Sequence, residues 1–65
     1  MEDEKAVGAT IRAARKSTGL TQADVADLAG ISERTLRDIE SGAGSPSLAA
    51  VAKVANVLGL HLKAA

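Results

Sequence analysis

The sequence has no cysteine and no aromatic residue, and its eight basic and eight acidic residues cancel to a net charge of zero. Without cysteine there is no disulfide and no thiolate metal site, so we expect a reducing, cytoplasmic location. The acidic start lacks the basic region of a signal peptide, and no apolar run approaches the ~18 residues of a membrane span. We therefore expect no membrane partner, and any attraction to nucleic acid must come from local placement of charge.

The chain is also short of large side chains that could build a core. Its 65 residues predict one domain, residues 1–65, in which alanine supplies 14 residues and Val, Ile, Leu and Met together supply 16. So small a core predicts added stability from dimerisation or from a ligand that binds only the folded state. One histidine without cysteine or tyrosine offers no acid, base and nucleophile set, so we predict no enzyme, cofactor or metal site.

Glycine and proline divide the chain into segments with helical spacing, which predicts an all-α fold. The first helix is predicted at about residues 4–17, where Gly8 is expected to weaken the beginning of the helix. A fourth helix is predicted from Ser47 to Gly59. Its predicted inner face consists of Leu48, Val51, Ala52, Ala55 and Leu58.

Two short helices, at about residues 22–28 and 33–41, lie in the middle of the chain and are joined by a three-residue connection containing Gly30. Such a connection is too short for antiparallel packing and predicts a helix-turn-helix over about residues 22–41. Thr21 and Ser32 stand where N-caps are needed, and Asp24 completes an approximate capping box with Thr21.

The outer face of the third helix carries Arg34, with Arg37 on its shoulder. An exposed helix fits the major groove of DNA, where arginine can donate two hydrogen bonds to guanine. The alternative is a solvated face on which both arginines pair with Glu33 or Asp38. The helix-turn-helix spacing favours the DNA contact.

Three further polar residues have positions that suggest a role. Gln22, at the start of the second helix, is expected at the phosphate backbone, unless it is only a surface glutamine. Arg15 and Glu40 each lie near the inner stripe of their helix, where a charge needs a partner. We predict an ion pair between them that locks the first helix to the third; two solvated side chains are the alternative.

After Gly59 the spacing changes to an alternation of apolar and polar residues, in residues 60–63. One interpretation is a frayed tail whose leucines fold back on the core. The other is a short C-terminal strand that pairs with its copy in a second chain, because four residues form no stable sheet alone.

Five segments carry a pattern that is highly specific when taken together: residues 19–22, 25–32, 35–42, 46–48 and 58–60. On these segments, residues 11–62 resemble the Xre/Cro-type helix-turn-helix domain of bacterial and phage repressors. The resemblance implies a compact lambda-repressor-like bundle of four or five helices that binds double-stranded operator DNA, generally as a homodimer. It also places the family's buried ion pair on Arg15 and Glu40.

The resemblance implies the DNA contacts as well. The base-contacting positions fall on Ser32, Glu33, Arg34 and Arg37, and the phosphate contact falls on Gln22. We expect the neighbouring Thr21 to bind phosphate as well. The loop after Gly42 has no lysine or arginine, so Ser45 and Ser47 or backbone amides would have to bind phosphate there. Glu33 would either accept a hydrogen bond from cytosine or repel the DNA.

Within that family, the short chain and alternating tail look like antitoxins of HipB type, which repress their own operon and bind a toxin kinase. The corresponding dimer contacts would be Leu58, Leu60, His61 and Leu62. The sequence thus predicts a repressor of transcription, in its finer form such an antitoxin. The rival hypothesis is a protein-interaction module that keeps the fold without specific DNA binding. The zero net charge, Glu33, Asp38 and the neutral loop favour it.

Overall fold

The computed structural model describes residues 4–60, which form four helices: α1 (Glu4–Thr18), α2 (Gln22–Ala29), α3 (Glu33–Ser41) and α4 (Leu48–Val57). Residues 4–60 contain no strand, so the predicted all-α fold is confirmed for this part of the chain. The strand considered for residues 60–63 lies outside the described residues except for Leu60. No helix of residues 4–60 combines the length and apolar character needed to cross a membrane.

Local sequence signals fix the ends of α2 and α3. The Thr21 hydroxyl accepts a hydrogen bond from the backbone N–H of Asp24 at 3.0 Å, and the Asp24 carboxylate accepts one from the backbone N–H of Thr21 at 3.0 Å. These reciprocal bonds form the predicted capping box. Hydrogen bonding to the Asp24 carboxylate by the backbone N–H of Thr21, and by the Thr21 side chain, lowers the pKa of Asp24. Gly30 ends α2 with φ of 70°, a conformation that glycine adopts without steric cost, and the Ser32 hydroxyl caps α3.

The core lies where the four helices meet, and it is built almost entirely from aliphatic side chains. Val25, Leu36 and Val54 are its largest fully buried members. The remaining buried apolar residues are Ile11, Ala26, Ala29, Ile39 and Ala55. The small buried residues Ala26 and Ala29 on α2 allow α3 to cross it closely. The inner face of α3 is therefore packed in the core, and this packing holds its outer face toward the surface.

The face of α4 that packs inward differs from the prediction. Ala55 is buried, and Val51 and Leu58 are partly buried as predicted, but Ala52 is exposed and Leu48 is 78% exposed. Val54, absent from the predicted face, is fully buried. Apolar residues occupy most of α4, so several stripes have helical spacing. Packing of α4 against α2 selects the one through Val54.

Gly8 lies at the close contact between α1 and α3, a role that differs from the expected weakening of the beginning of the helix. It is buried, and a Cβ atom there would overlap the carbonyl oxygen of Ile39 and lie 2.7 Å from that of Glu40. The helix is continuous from Glu4 through this position. Absence of a side chain at Gly8 therefore lets α1 approach the backbone of α3.

Candidate nucleic-acid interface

Arg34 is the exposed centre of the outward face of α3. Leu36 and Ile39 anchor the opposite face of the helix in the core. Among residues 4–60, no side chain or backbone group forms an ion pair or hydrogen bond with the Arg34 guanidinium. Its donors can therefore reach an external acceptor without first breaking a contact within the described part of the chain.

Arg37 and Glu33 lie one turn apart on the same face and form a weak ion pair. Arg37 Nη1 is 3.8 Å from Glu33 Oε2, and their side chains are 57% and 52% exposed. Such a solvated pair contributes about 0.3–0.5 kcal/mol, so a base edge can replace it at little cost. The alternative was that both arginines form ion pairs with carboxylates. Arg37 forms one such pair, which is weak, and Arg34 forms none among residues 4–60.

Ser32, the remaining base-contacting candidate, is exposed at the beginning of α3. Its hydroxyl oxygen accepts a hydrogen bond from the backbone N–H of Thr35 at 3.1 Å, and its O–H donates to Thr35 Oγ1 at 2.9 Å. The single hydrogen of the hydroxyl is thus used within the cap, and one of its two lone pairs remains free. Donation to a base by Ser32 would require rotation of that hydroxyl, whereas accepting a hydrogen bond from a base would not.

The predicted ion pair of Arg15 and Glu40 is present and buried. Arg15 Nε lies 2.6 Å from Glu40 Oε2, and Arg15 Nη2 donates to Glu40 Oε1 at 3.1 Å. Arg15 Nη1 also donates to the carbonyl oxygen of Leu20 at 3.1 Å, which ties α1 to the segment before α2. The pair therefore links α1, the start of α2, and α3 in a single network.

The environment of Glu40 favours its ionised form. Burial raises the pKa of Glu40, but hydrogen bonds from Arg15 and Gln22 and the positive charges of Arg15 and Arg12 outweigh it, so the pKa lies below its usual range. The hydrogen bond between Arg15 and Glu40 raises the pKa of the Arg15 guanidinium. Both groups are charged at neutral pH, and each stabilises the charge of the other.

Gln22 has a buried partner that the sequence did not indicate. Its Nε2 donates a hydrogen bond to Glu40 Oε1 at 3.2 Å, while the residue remains partly exposed at the beginning of α2. Thr21 beside it is exposed and serves as the N-cap. The sequence spacing predicted that Gln22 begins a helix. It did not predict the contact with Glu40, because the two residues are 18 positions apart in the chain.

Arg12 is a candidate that we did not predict. Its exposed side chain borders a shallow recess between α1 and the starts of α2 and α3, together with Thr21, Gln22 and Glu33. Arg12 forms no ion pair with another of residues 4–60. The available signal was its spacing of three residues before Arg15, which places both on neighbouring parts of the helix surface.

The loop between α3 and α4 contributes only hydroxyls and backbone groups. Ser45 and Ser47 are exposed, and the Ser47 hydroxyl accepts a hydrogen bond from the backbone N–H of Ala50 at 3.1 Å as the N-cap of α4. Residues 4–60 contain no cluster of three or more metal-binding side chains. The loop, residues 42–47, has no charged side chain, so any phosphate contact there would come from hydroxyls or backbone amides.

The candidate dimer contacts are only partly described. Leu58 and Leu60 are partly buried and pack against the core, and the backbone N–H of Leu60 donates to the carbonyl oxygen of Ala55 at 2.8 Å. His61 and Leu62 lie outside the described residues. For Leu60, the contact with its own core agrees with a tail whose leucines fold back.

Comparisons with known proteins find one matching family and two relatives of similar identity. The family model described as Helix-turn-helix matches residues 11–64. An immunity repressor protein of Bacillus phage phi105 is 41% identical over 58 residues, covering 89% of this chain and 40% of the repressor. An uncharacterized HTH-type transcriptional regulator of Methanothermobacter thermautotrophicus is 41% identical over 49 residues, covering 75% of this chain and 71% of that protein.

Proposed function

This chain belongs to the helix-turn-helix family, and from that premise we propose that it is a sequence-specific DNA-binding regulator that represses transcription. The observation that carries the proposal is the outward face of α3. There Arg34 is exposed without a partner among residues 4–60, on a helix whose other face is fully packed. A rigid helix with a free guanidinium is suited to contact base edges.

In this proposal α3 enters the major groove and its first two turns contact the bases. Arg34 donates two hydrogen bonds to guanine, and Arg37 does the same after leaving Glu33. Glu33, once released, accepts a hydrogen bond from the amino group of cytosine. Ser32 completes the base-contacting set at the beginning of the helix.

The phosphate contacts flank α3 on both sides. Thr21 and Gln22 at the start of α2 contact one stretch of backbone, and Ser45 and Ser47 in the loop contact another. The recess beside Gln22 adds the positive charge of Arg12, which α2 and the loop do not supply. These contacts would fix the register of α3 on the duplex.

We propose that two copies bind together to a palindromic operator, with their α3 helices in successive major grooves about 34 Å apart. Contacts through Leu58, Leu60, His61 and Leu62 would hold the copies together. The small aliphatic core supports a dimer, because a partner adds buried apolar surface.

The finer proposal is an autorepressing antitoxin that also binds a toxin kinase. Its support is the alternation of residues 60–63, the pattern of a short pairing strand. A kinase-like gene beside this one, whose product forms a complex with this chain, is the expected observation. A chain that binds its own promoter but no neighbouring gene product would contradict the antitoxin and leave the repressor standing.

The test of the central proposal is selection of binding sites from random duplex DNA, followed by titration of the selected site at several salt concentrations. Arg12, Arg34 and Arg37 of each chain would bring about six positive charges per dimer to the DNA, so log affinity should fall with log salt at a slope near −5. Binding that is equal on selected and scrambled DNA would overturn sequence-specific regulation. No binding at all, with capture of a protein partner, would favour the interaction module instead.

A further inference from the structure

Gln22 joins the buried charges of the core to the surface at the start of α2. Glu40 Oε1 accepts two hydrogen bonds, from Arg15 Nη2 at 3.1 Å and from Gln22 Nε2 at 3.2 Å. Glu40 Oε2 accepts from Arg15 Nε at 2.6 Å. The Glu40 side chain is 4% exposed, and Gln22 is partly exposed. One end of the glutamine amide is therefore tied to the interior while the rest of it borders the open recess.

The chemistry of the two groups fixes the orientation of that amide. An ionised carboxylate only accepts hydrogen bonds, so the nitrogen end of Gln22, and not its oxygen, must face Glu40. The amide nitrogen carries a second hydrogen, which the bond to Glu40 leaves unused. A free glutamine side chain would rotate among several conformers and lose that freedom on binding an anion.

Stability of the ion pair does not require Gln22. Arg15 alone donates to both oxygens of Glu40, so the buried carboxylate already has a partner at each oxygen. The bond from Gln22 instead restricts a side chain at the surface. This restriction therefore affects how Gln22 binds a group outside the chain.

We propose that Glu40 is a positioning residue for DNA binding: it orients the Gln22 amide so that the second N–H donates to a backbone phosphate. This inference rests on the proposed function and assigns Glu40 a role in affinity beyond its role in stability. Arg15 neutralises Glu40, so the carboxylate can hold the amide without presenting a net negative charge to the phosphate.

The first experiment is a double-mutant cycle on DNA affinity, using wild type, Gln22→Ala, Glu40→Gln and the double variant, each verified as folded by circular dichroism at the binding temperature. Loss of one hydrogen bond to a charged group should weaken binding about tenfold in Gln22→Ala. Glu40→Gln leaves one uncharged amide oxygen, in place of two carboxylate oxygens, for the donors of Arg15 and Gln22, and it should give a similar loss. The double variant should be no weaker than Gln22→Ala, because both changes remove the same contact.

Asp27→Asn is the matched control for the change of charge. Asp27 is an exposed carboxylate on α2, and its replacement adds the same net charge as Glu40→Gln. Its affinity should stay within about twofold of wild type, since surface charges away from the contact act weakly. Independent losses that multiply in the Gln22/Glu40 double variant would overturn the positioning role.

The second experiment locates the contact by ethylating the phosphates of the selected site one at a time. One phosphate in each half-site should interfere with wild-type binding and cease to interfere in both Gln22→Ala and Glu40→Gln. A merely structural role of Glu40 would weaken binding and leave the set of interfering phosphates unchanged. That unchanged set in Glu40→Gln would contradict the inference.

Glu40→Asp serves if Glu40→Gln does not fold. It keeps a negative charge beside Arg15 but is one methylene shorter, so its reach to Gln22 is reduced. It should lose the same phosphate and show the same non-additivity with Gln22→Ala; retention of that phosphate would overturn the inference. Failure of wild type to select any DNA is a separate outcome, which overturns the proposed function itself.

Discussion

At the residue scale, Arg34 should carry specificity for sequence. Its guanidinium is exposed and has no partner among residues 4–60, so Arg34→Ala removes donors without disturbing the fold. We expect a loss of about 1–3 kcal/mol in binding free energy on the selected site and a much smaller loss on random DNA. Titration of both duplexes measures the difference. Lys53→Ala, at an exposed position of α4, is the control, and equal losses on both duplexes would assign Arg34 to phosphate contact instead.

Arg12 should contribute to affinity without contributing to specificity. It borders the recess beside Gln22 and forms no ion pair within residues 4–60. Arg12→Gln should reduce the magnitude of the salt slope by about 0.9 per chain bound and weaken all duplexes alike. Titrations against salt measure the slope, and Arg12→Lys should keep it. An unchanged slope in Arg12→Gln would show that no phosphate lies there.

Glu40 should make stability depend on pH in the acid range. Its folded pKa is lowered, so its contribution is present above the pKa of the unfolded state, about 4.3, and is lost as the pH falls through the folded value. Asp24, whose pKa is also lowered, acts with the same sign. Urea denaturation from pH 7 down to pH 2 should therefore show a shallower decline in Glu40→Gln than in wild type. Equal pH dependence in the two proteins would show that Glu40 does not make this contribution.

Glu40→Gln should also lower the free energy of unfolding by about 3–5 kcal/mol at neutral pH, since it leaves Arg15 buried without its charge partner.

At the scale of elements, the close approach of α1 and α3 depends on Gly8. Alanine is favoured over glycine in a helix by about 0.5–1 kcal/mol, so propensity alone would make Gly8→Ala stabilising. A Cβ atom would instead meet the backbone of Ile39 and Glu40, and we expect a net loss of about 1–3 kcal/mol. Denaturation in urea measures it, with the reverse change Ala9→Gly at the exposed neighbour as the control. A stabilised Gly8→Ala would show that the helices can separate without cost.

The ends of the helices follow from local sequence, whereas the faces that pack do not. Thr21 and Ser32 cap α2 and α3 as predicted, and Ser47, predicted as the start of the fourth helix, caps α4. These caps are local because each involves residues only three apart. For α4 the predicted face included the exposed Leu48 and omitted the buried Val54. An alanine- and valine-rich helix has apolar residues on several sides, so the partner helix decides which side is buried.

At the scale of the whole molecule, binding of DNA to the folded chain should raise its stability. A ligand that binds only the folded state adds about 2.7 kcal/mol at a free concentration of one hundred times its Kd. We expect the Tm to rise when the selected duplex is added, and to rise less with a scrambled duplex at the same concentration. Calorimetry measures both, and light scattering of the complex should give two chains per duplex. Equal rises with both duplexes, or one chain per duplex, would contradict specific binding as a dimer.

The sequence by itself determined the number of helices described, the N-caps of α2 and α3, the glycine turn between these two helices, and the outward position of Arg34. These features depend on neighbours along the chain and on the helical repeat, which sequence records directly. Even the Arg15–Glu40 pair could be inferred, because two opposite charges near the inner stripes of their helices need partners.

Only the tertiary structure decided the orientation of α4, the contact at Gly8, and the membership of Gln22 in the buried network. Each depends on the distance between residues far apart in the chain, which is set when the helices pack against one another. The bond from Gln22 to Glu40, at 3.2 Å across 18 residues, exists only because α2 and α3 cross closely over the same small core.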